Sequence, residues 1–187
     1  ANTATGAFAL SDNTSGSANT ANGFAALESN TEGGNNTANG QSALLFNTTG
    51  NQNTAIGSGA LFANNDDMNT GVGFQSLFSN TTGFGNTAVG GHALAAINGS
   101  ENTAVGLEAL SEATFGLTNT AIGYRAGLNV TDAYDVICIG ANVYGANVAG
   151  SCLIGQIRGR TTQNNDAIPV LIDSDGQLGT ISSSRRF

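Results

Sequence analysis

Hydrophobic and polar positions alternate in a short motif that recurs along most of the chain. The motif reads Asn-Thr-Ala-x-Gly, and a Leu usually follows four residues after the Gly. Alternation with period two is typical of a β-strand, and a fixed repeat of this length indicates a fold built by stacking one unit. The Asn-Thr pair recurs every 16 or 17 residues, at Asn2, Asn19, Asn36, Asn53, Asn69, Asn86, Asn102 and Asn119.

The two faces of such a strand carry different residues. Asn, Ala and Gly lie on one face, and Thr and x lie on the other. The Ala face has an apolar partner in the Leu after the Gly, and together they can fill the lumen of a narrow coil. The sequence therefore predicts an all-β protein, a parallel β-solenoid or β-roll with 16–17-residue coils. Its lumen leucines are Leu10, Leu27, Leu44, Leu61, Leu77, Leu94 and Leu110.

The x position becomes apolar from the fourth copy onward. Rungs about 4.8 Å apart would form a continuous apolar stripe outside the coil, and such stripes mark interfaces. A closed three-fold association covers the stripes of all chains without runaway polymerisation, so we expect a homotrimer. The predicted trimer interface is Ile56, Val72, Val89, Val105, Ile122, Ile139 and Ile154.

The first three copies carry polar residues at x, namely Thr5, Asn22 and Asn39. Two interpretations stay open for them. They could belong to terminal repeats that fray, or three copies of each Asn could hold a column of water or anions at the trimer axis.

An Asn-rich corner follows most of the lumen leucines, as in Asn13-Thr14-Ser15-Gly16 and Asn47-Thr48-Thr49-Gly50. Asn can bond its own turn and tolerates left-handed backbone, and Gly supplies positive φ. Stacked Asn side chains can also bond along the column as an amide ladder. We therefore expect these corners to hold one rung to the next.

The repeat divides the chain into three parts. We expect residues 1–128 to form the repeat shaft, 129–160 to form degenerate capping rungs, and 161–187 to contain a C-terminal β-hairpin. Cys138 and Cys152 lie in the degenerate rungs. Because two cysteines in a secreted chain usually pair, an intrachain disulfide is one expectation, and two buried free thiols are the alternative.

Composition and charge exclude several function classes. The charged fraction is 10 %, against about 25 % in ordinary soluble domains, whereas 40 % of residues are hydrophobic and periodically placed, which indicates order. Net charge is −8, and residues 1–124 contain no Lys or Arg, which argues against nucleic-acid binding. The sequence contains no apolar run of 18 residues and no hydrophobic region of a signal peptide, so we expect neither a membrane span nor a signal peptide in this stretch. The opening in mid-motif without Met suggests a piece of a longer protein.

Candidate chemistry is sparse. The single histidine, His92, has no partner motif for a metal site, and Asp173 to Gly176 reads as a hairpin turn rather than a calcium loop. No phosphate loop or Cys/His pair is present. We therefore predict no enzyme activity, no metal and no cofactor.

Two stretches resemble known proteins. The Gly-closed repeats resemble the parallel β-roll heads of trimeric autotransporter adhesins, although those heads have shorter coils and another consensus. The C-terminal stretch "AIPVLIDSDGQLGTISSSRRF", residues 167–187, resembles the segment that enters the intramolecular chaperone of endosialidase-type phage tail spikes and related fibre proteins. Chains of that kind often carry such repeats ahead of this junction.

The resemblance implies a maturation step. In that family the chaperone trimerises the fibre and then cuts itself off, using a Ser at the junction and a Lys a few residues later. The Ser at the junction corresponds to Ser183 in this sequence. Ser184 follows the bond that is cut, at a position where the family often has Asp. The Lys would follow Phe187, so the catalytic apparatus of that step is incomplete in residues 1–187.

Two function classes stay open. The first is an extracellular structural or adhesive trimeric fibre, on a cell surface or a virion-like particle, with an unidentified receptor. The second is a ligand-binding or ice-binding β-solenoid that uses an exposed Thr ladder. Because Thr and x share a face, that face cannot be both buried in a trimer and exposed to ice. The ladder comprises Thr3, Thr20, Thr37, Thr54, Thr70, Thr87, Thr103 and Thr120.

Overall fold

The chain folds into one parallel sheet of ten very short strands that follow each other in chain order. A computed structural model describes residues 1–157, 171–172 and 178–179. The strands are β1 (Thr3–Thr5), β2 (Thr20–Asn22), β3 (Thr37–Asn39), β4 (Thr54–Ile56), β5 (Thr70–Val72), β6 (Thr87–Val89), β7 (Thr103–Val105), β8 (Thr120–Ile122), β9 (Ile137–Ile139) and β10 (Cys152–Ile154).

Each strand pairs with the strand of the next repeat. Thr3 lies opposite Thr20, and Ala4 lies opposite Ala21. One repeat is therefore one coil, and the described part of the chain confirms a parallel β-solenoid. Its compact unit spans Ala1–Gly155. In that unit and in the short described stretches beyond it, we find no helix with the length and apolarity needed to span a membrane.

Residues 156–187 form a separate unit, of which little is described. Two residues of β11 (Leu171–Ile172) pair antiparallel with two residues of β12 (Leu178–Gly179). The proposed junction residues Ser183 and Ser184 lie outside the described residues, as do Asp173 to Gly176.

The lumen is filled by the residues that the alternation places there. The Ala in the middle of the typical strand is fully buried, as in Ala38, Ala55 and Ala88, and so is the Leu after the Gly. Leu10, in the first coil, is only partly buried. A third inward position changes along the solenoid from Asn to apolar residues. It is occupied by Asn30, Asn47, Asn64 and Asn80 and then by Ile97, Ala113 and Val130, all buried.

Two columns of asparagine tie coil to coil. In the column before the strands, Asn53 Oδ1 accepts a hydrogen bond from the backbone N–H of Asn69 at 2.9 Å. The Nδ2 of the same Asn53 donates to the carbonyl of Asp66, at the corner of its own coil. In the corner column, Asn47 Nδ2 donates to Asn30 Oδ1 at 3.0 Å. The predicted amide ladder is therefore confirmed, and it lies inside the coil.

The corners bond as predicted but have a different backbone. Asn30 Nδ2 donates to the carbonyl of Gly33 within its own turn. However, Gly16 and Gly33 do not have positive φ, so that part of the prediction was wrong. A Cβ at Gly16 would lie 2.5 Å from Asn13 Oδ1 and against the carbonyl of Gly33. These glycines are needed because the coils approach closely.

Positive φ occurs instead at other positions of each coil, and among these are the lumen leucines, such as Leu27 (φ 51°) and Leu61 (φ 53°). This conformation is uncommon for a residue with a side chain. Burial offsets its cost, since both leucines are fully buried. The backbone N–H of Leu27 also donates to Ala43 O in the next coil at 3.0 Å. Closure of the coil therefore outweighs the local preference of Leu.

We expect Leu94→Ala to lower the free energy of unfolding by roughly 2 to 5 kcal/mol, because it opens a cavity in a fully buried site. Thermal unfolding monitored by circular dichroism measures the effect. His92→Ala in the same coil is the control. It removes only a half-buried ring that meets Phe74 edge-on at 5.3 Å, worth about 1 kcal/mol or less. Equal losses of unfolding free energy for the two variants would mean that Leu94 does not point into the lumen.

Candidate functional site

The outward side of the sheet is the candidate site, and we call it the strand face. It consists of the first and third residues of β1 to β10, since the middle residue of each strand points into the lumen. In β4, for example, Thr54 is half-buried, Ala55 is buried and Ile56 is exposed. Parallel in-register pairing places equivalent residues of successive coils directly above one another. The strand face therefore carries two straight columns of side chains.

The third-position column contains all seven residues predicted to lie at a trimer interface. Six of them expose 36 to 44 % of their surface, and Val72 is half-buried. A run of adjacent Ile and Val side chains at this exposure is unusual for a surface. The interface itself stays a prediction, because these observations concern one chain. The run comprises Ile56, Val72, Val89, Val105, Ile122, Ile139 and Ile154.

The first-position column contains the Thr ladder. Each Thr pairs with the next one in register, from Thr3 through Thr120. Thr3 and Thr20 are exposed and the later six are half-buried. In the last two coils Ile137 and Cys152 take the place of Thr. The column thus becomes apolar where the repeat degenerates.

Large apolar residues border the third-position column, and the sequence analysis missed them. They occupy the position directly after the Gly that closes the motif, and all are exposed. The sequence contains a signal for them, since a large apolar residue occupies this position in half of the eight clear repeats. These flanking residues are Phe24, Phe74, Leu107 and Tyr124.

The strand face carries no charged side chain in any of its ten strands, although the protein is acidic. The nearest ion pair described joins Arg125 Nε to Glu108, just past the flanking residues. The Arg125 guanidinium also lies 5.1 Å from the ring centre of Tyr124. Its hydrogen bond to Glu108, and then the charge of Glu108, raise the pKa of Arg125. The positive charge is therefore held beside the face and neutralised there.

The two cysteines do not form a disulfide, which corrects one expectation of the sequence analysis. Both thiols are free, with Cys138 buried and Cys152 exposed. The short coil between them does not shift the register: Cys138 lies opposite Leu153, and Cys152 lies opposite Ile137. Cys138 therefore points into the lumen and Cys152 lies on the strand face. Burial raises the pKa of the Cys138 thiol, and interaction with Cys152 raises it further.

No chemistry-bearing cluster accompanies the strand face. Among residues 1–157 and the short described stretches after them, no three His, Cys, Asp or Glu side chains come together as a metal site. His92 is half-buried against Phe74. What the described strands offer is an uncharged surface on which equivalent side chains repeat once per coil.

Comparison of the chain with protein-family models, with curated proteins and with solved structures gave no match.

Proposed function

We propose that this chain is part of the shaft of an extracellular trimeric fibre, in which three solenoids pack through their strand faces. The observation that carries the proposal is the uninterrupted third-position column of Ile and Val. From Ile56 to Ile154 it extends over six rung spacings, about 29 Å, and six of its seven residues are exposed in the single chain. Covering it with a partner removes apolar surface from water, which favours association.

The charge distribution supports a partner that is another copy of this chain. Copies of a protein of net charge −8 repel each other, and a neutral contact surface keeps their acidic side chains apart. The strand face is such a surface, because the first and third positions of its ten strands carry only Thr, Asn, Ile, Val and Cys. A closed trimer also leaves no copy of the face open to further addition, which limits runaway assembly.

The fibre would mature through a removable chaperone, and this part rests on the resemblance of the C-terminal stretch to endosialidase-type fibre proteins. Ser183 is the proposed nucleophile and Ser184 the first residue after the cut. A Lys beyond residue 187 would activate the hydroxyl. In this proposal the fibre itself is a structural or adhesive element and has no enzymatic turnover of its own.

A ligand-binding or ice-binding solenoid is the second candidate. It is favoured by the straight column of Thr residues, which repeat in register over eight successive strands. Such a column could match a regular lattice of hydroxyl groups or water. The two candidates make opposite demands on the strand face, which is covered in the fibre and free in the second.

Native mass measurement combined with thiol labelling distinguishes them. We expect a mass of three chains and slow labelling of Cys152, because this exposed thiol lies on the strand face and would be covered in the trimer. Cys138 is buried in either case and labels only on unfolding. A folded monomer in which Cys152 labels at the rate of a free thiol would refute the fibre. Thermal hysteresis of ice growth by that monomer would support the second candidate.

A further inference from the structure

The third-position column changes character at one point along the shaft. In β1 to β3 it carries Thr5, Asn22 and Asn39, and from β4 onward it carries only Ile or Val. The change is abrupt, since Asn39 is paired directly with Ile56 in the next coil. Both asparagines are exposed on the strand face. The polar and apolar zones therefore belong to one continuous surface.

The apolar zone leaves the alignment of neighbouring chains poorly defined. Val72, Val89 and Val105 are identical neighbours in the column, and the first position is Thr in β1 through β8. If one chain slides along another by one coil, six of the seven apolar residues still face apolar residues. Register is weakly specified where successive residues are alike. Something else must distinguish the aligned state from the slipped states.

The two asparagines have the required unused bonding capacity. Asn22 Nδ2 donates to Asn39 Oδ1 over 3.4 Å, and within the described residues this is the only hydrogen bond of either amide group. Two copies aligned in register would bring each amide opposite an identical amide, which offers both a donor and an acceptor. A slip by one coil would instead place Asn39 against Ile56 and bury the Nδ2 donor of Asn39 without an acceptor.

We propose that Asn22 and Asn39 set the axial register of the assembled shaft by pairing with the same residues of a second copy of the chain. The inference rests on the proposed trimer and adds to it the device that aligns the chains. Single polar residues in an otherwise apolar seam select register in coiled coils for the same reason. The asparagines are positioning residues, which contribute more to alignment than to the strength of association.

Cross-linking of co-expressed full chains tests the proposal. In a Cys152→Ser background, chains with Val89→Cys report alignment by linking to each other, and a Val89→Cys chain linked to a Val105→Cys chain reports a one-coil slip. We expect Asn22→Val with Asn39→Val to raise the ratio of slipped to aligned links roughly 10-fold. The trimer should persist in the variant by native mass. Ser79→Val, which adds an apolar side chain outside the strand face, should leave the ratio unchanged.

The outcomes separate this inference from the proposed function. Trimers with the same ratio in native and Asn-to-Val chains would overturn the register role alone. A rise of equal size with Ser79→Val would do so as well, because the effect would then follow from added hydrophobicity anywhere. Absence of the trimer and of the Val89→Cys self-link would overturn both proposals.

Discussion

Replacing Val89 and Val105 together by aspartate is expected to convert trimers into folded monomers. Three neighbouring chains would then bring six carboxylates into a contact that excludes water, and each uncompensated buried charge costs several kcal/mol. We expect the association to weaken by more than about 100-fold, which is about 2.7 kcal/mol. The solenoid itself should survive, since both side chains are exposed in the single chain. Native mass reports the association, and circular dichroism reports the fold.

Two aspartates placed elsewhere provide the matched control. Ser79 and Thr82 are exposed and lie outside the strand face. Ser79→Asp with Thr82→Asp therefore adds the same charge without entering the proposed contact, and the trimer should remain. If the Val89→Asp, Val105→Asp chain stays trimeric at the concentration at which the native chain is trimeric, the strand face is not the contact surface.

Gly90→Ala is expected to be among the most damaging single methyl additions in the solenoid. Gly90 closes the sixth repeat with φ 134°, a conformation that residues with a side chain rarely adopt. Its new Cβ would lie 2.6 Å from the carbonyl carbon of Gly106, which is backbone and cannot rotate away. Strain and overpacking together should cost roughly 2 to 6 kcal/mol. Urea unfolding of the native and variant chains measures this loss.

The next residue is the control for that prediction. Gly91 does not have positive φ, and a Cβ there would first meet Leu107 Cδ1 at 3.2 Å, the end of a flexible and exposed side chain. We expect Gly91→Ala to change stability by about 1 kcal/mol or less in either direction. Similar losses for the two variants would show that the close contact between successive coils is not what requires glycine at position 90.

The sequence was sufficient to predict the solenoid because the motif that specifies each strand is short and recurs in every clear repeat. The Asn-Thr-Ala-x-Gly motif predicted β1 to β8, and the alternation predicted that Asn and Ala point inward while Thr and x point outward. These predictions were confirmed, as Asn53 and Ala55 are buried and Ile56 is exposed. The 16- or 17-residue spacing of the motif also sufficed to predict the register of neighbouring strands, because each coil contains one copy of the motif.

Features that depend on closing the coil were not predictable in the same way. Left-handed backbone was expected at Asn and Gly in the corners, whereas the chain places it at lumen leucines such as Leu44. The disulfide was expected because two cysteines in a secreted chain usually pair. However, Cys138 and Cys152 stand two and three positions before the Gly of their rungs, a spacing that places them on opposite faces, and the strand pairing confirms this. The flanking residues of the strand face were overlooked because they follow the motif instead of belonging to it.

The direction of the hydrogen bonds has a mechanical consequence. Most backbone bonds outside the strand pairs join residues of successive coils, as Thr20 N to Asn36 O and Thr31 N to Thr48 O. A force that pulls the two chain ends apart would load these bonds one row at a time, so the coils should peel off singly. Each coil would release about 60 Å of extended chain. Under tension a single chain should therefore lengthen in nearly equal steps at low force.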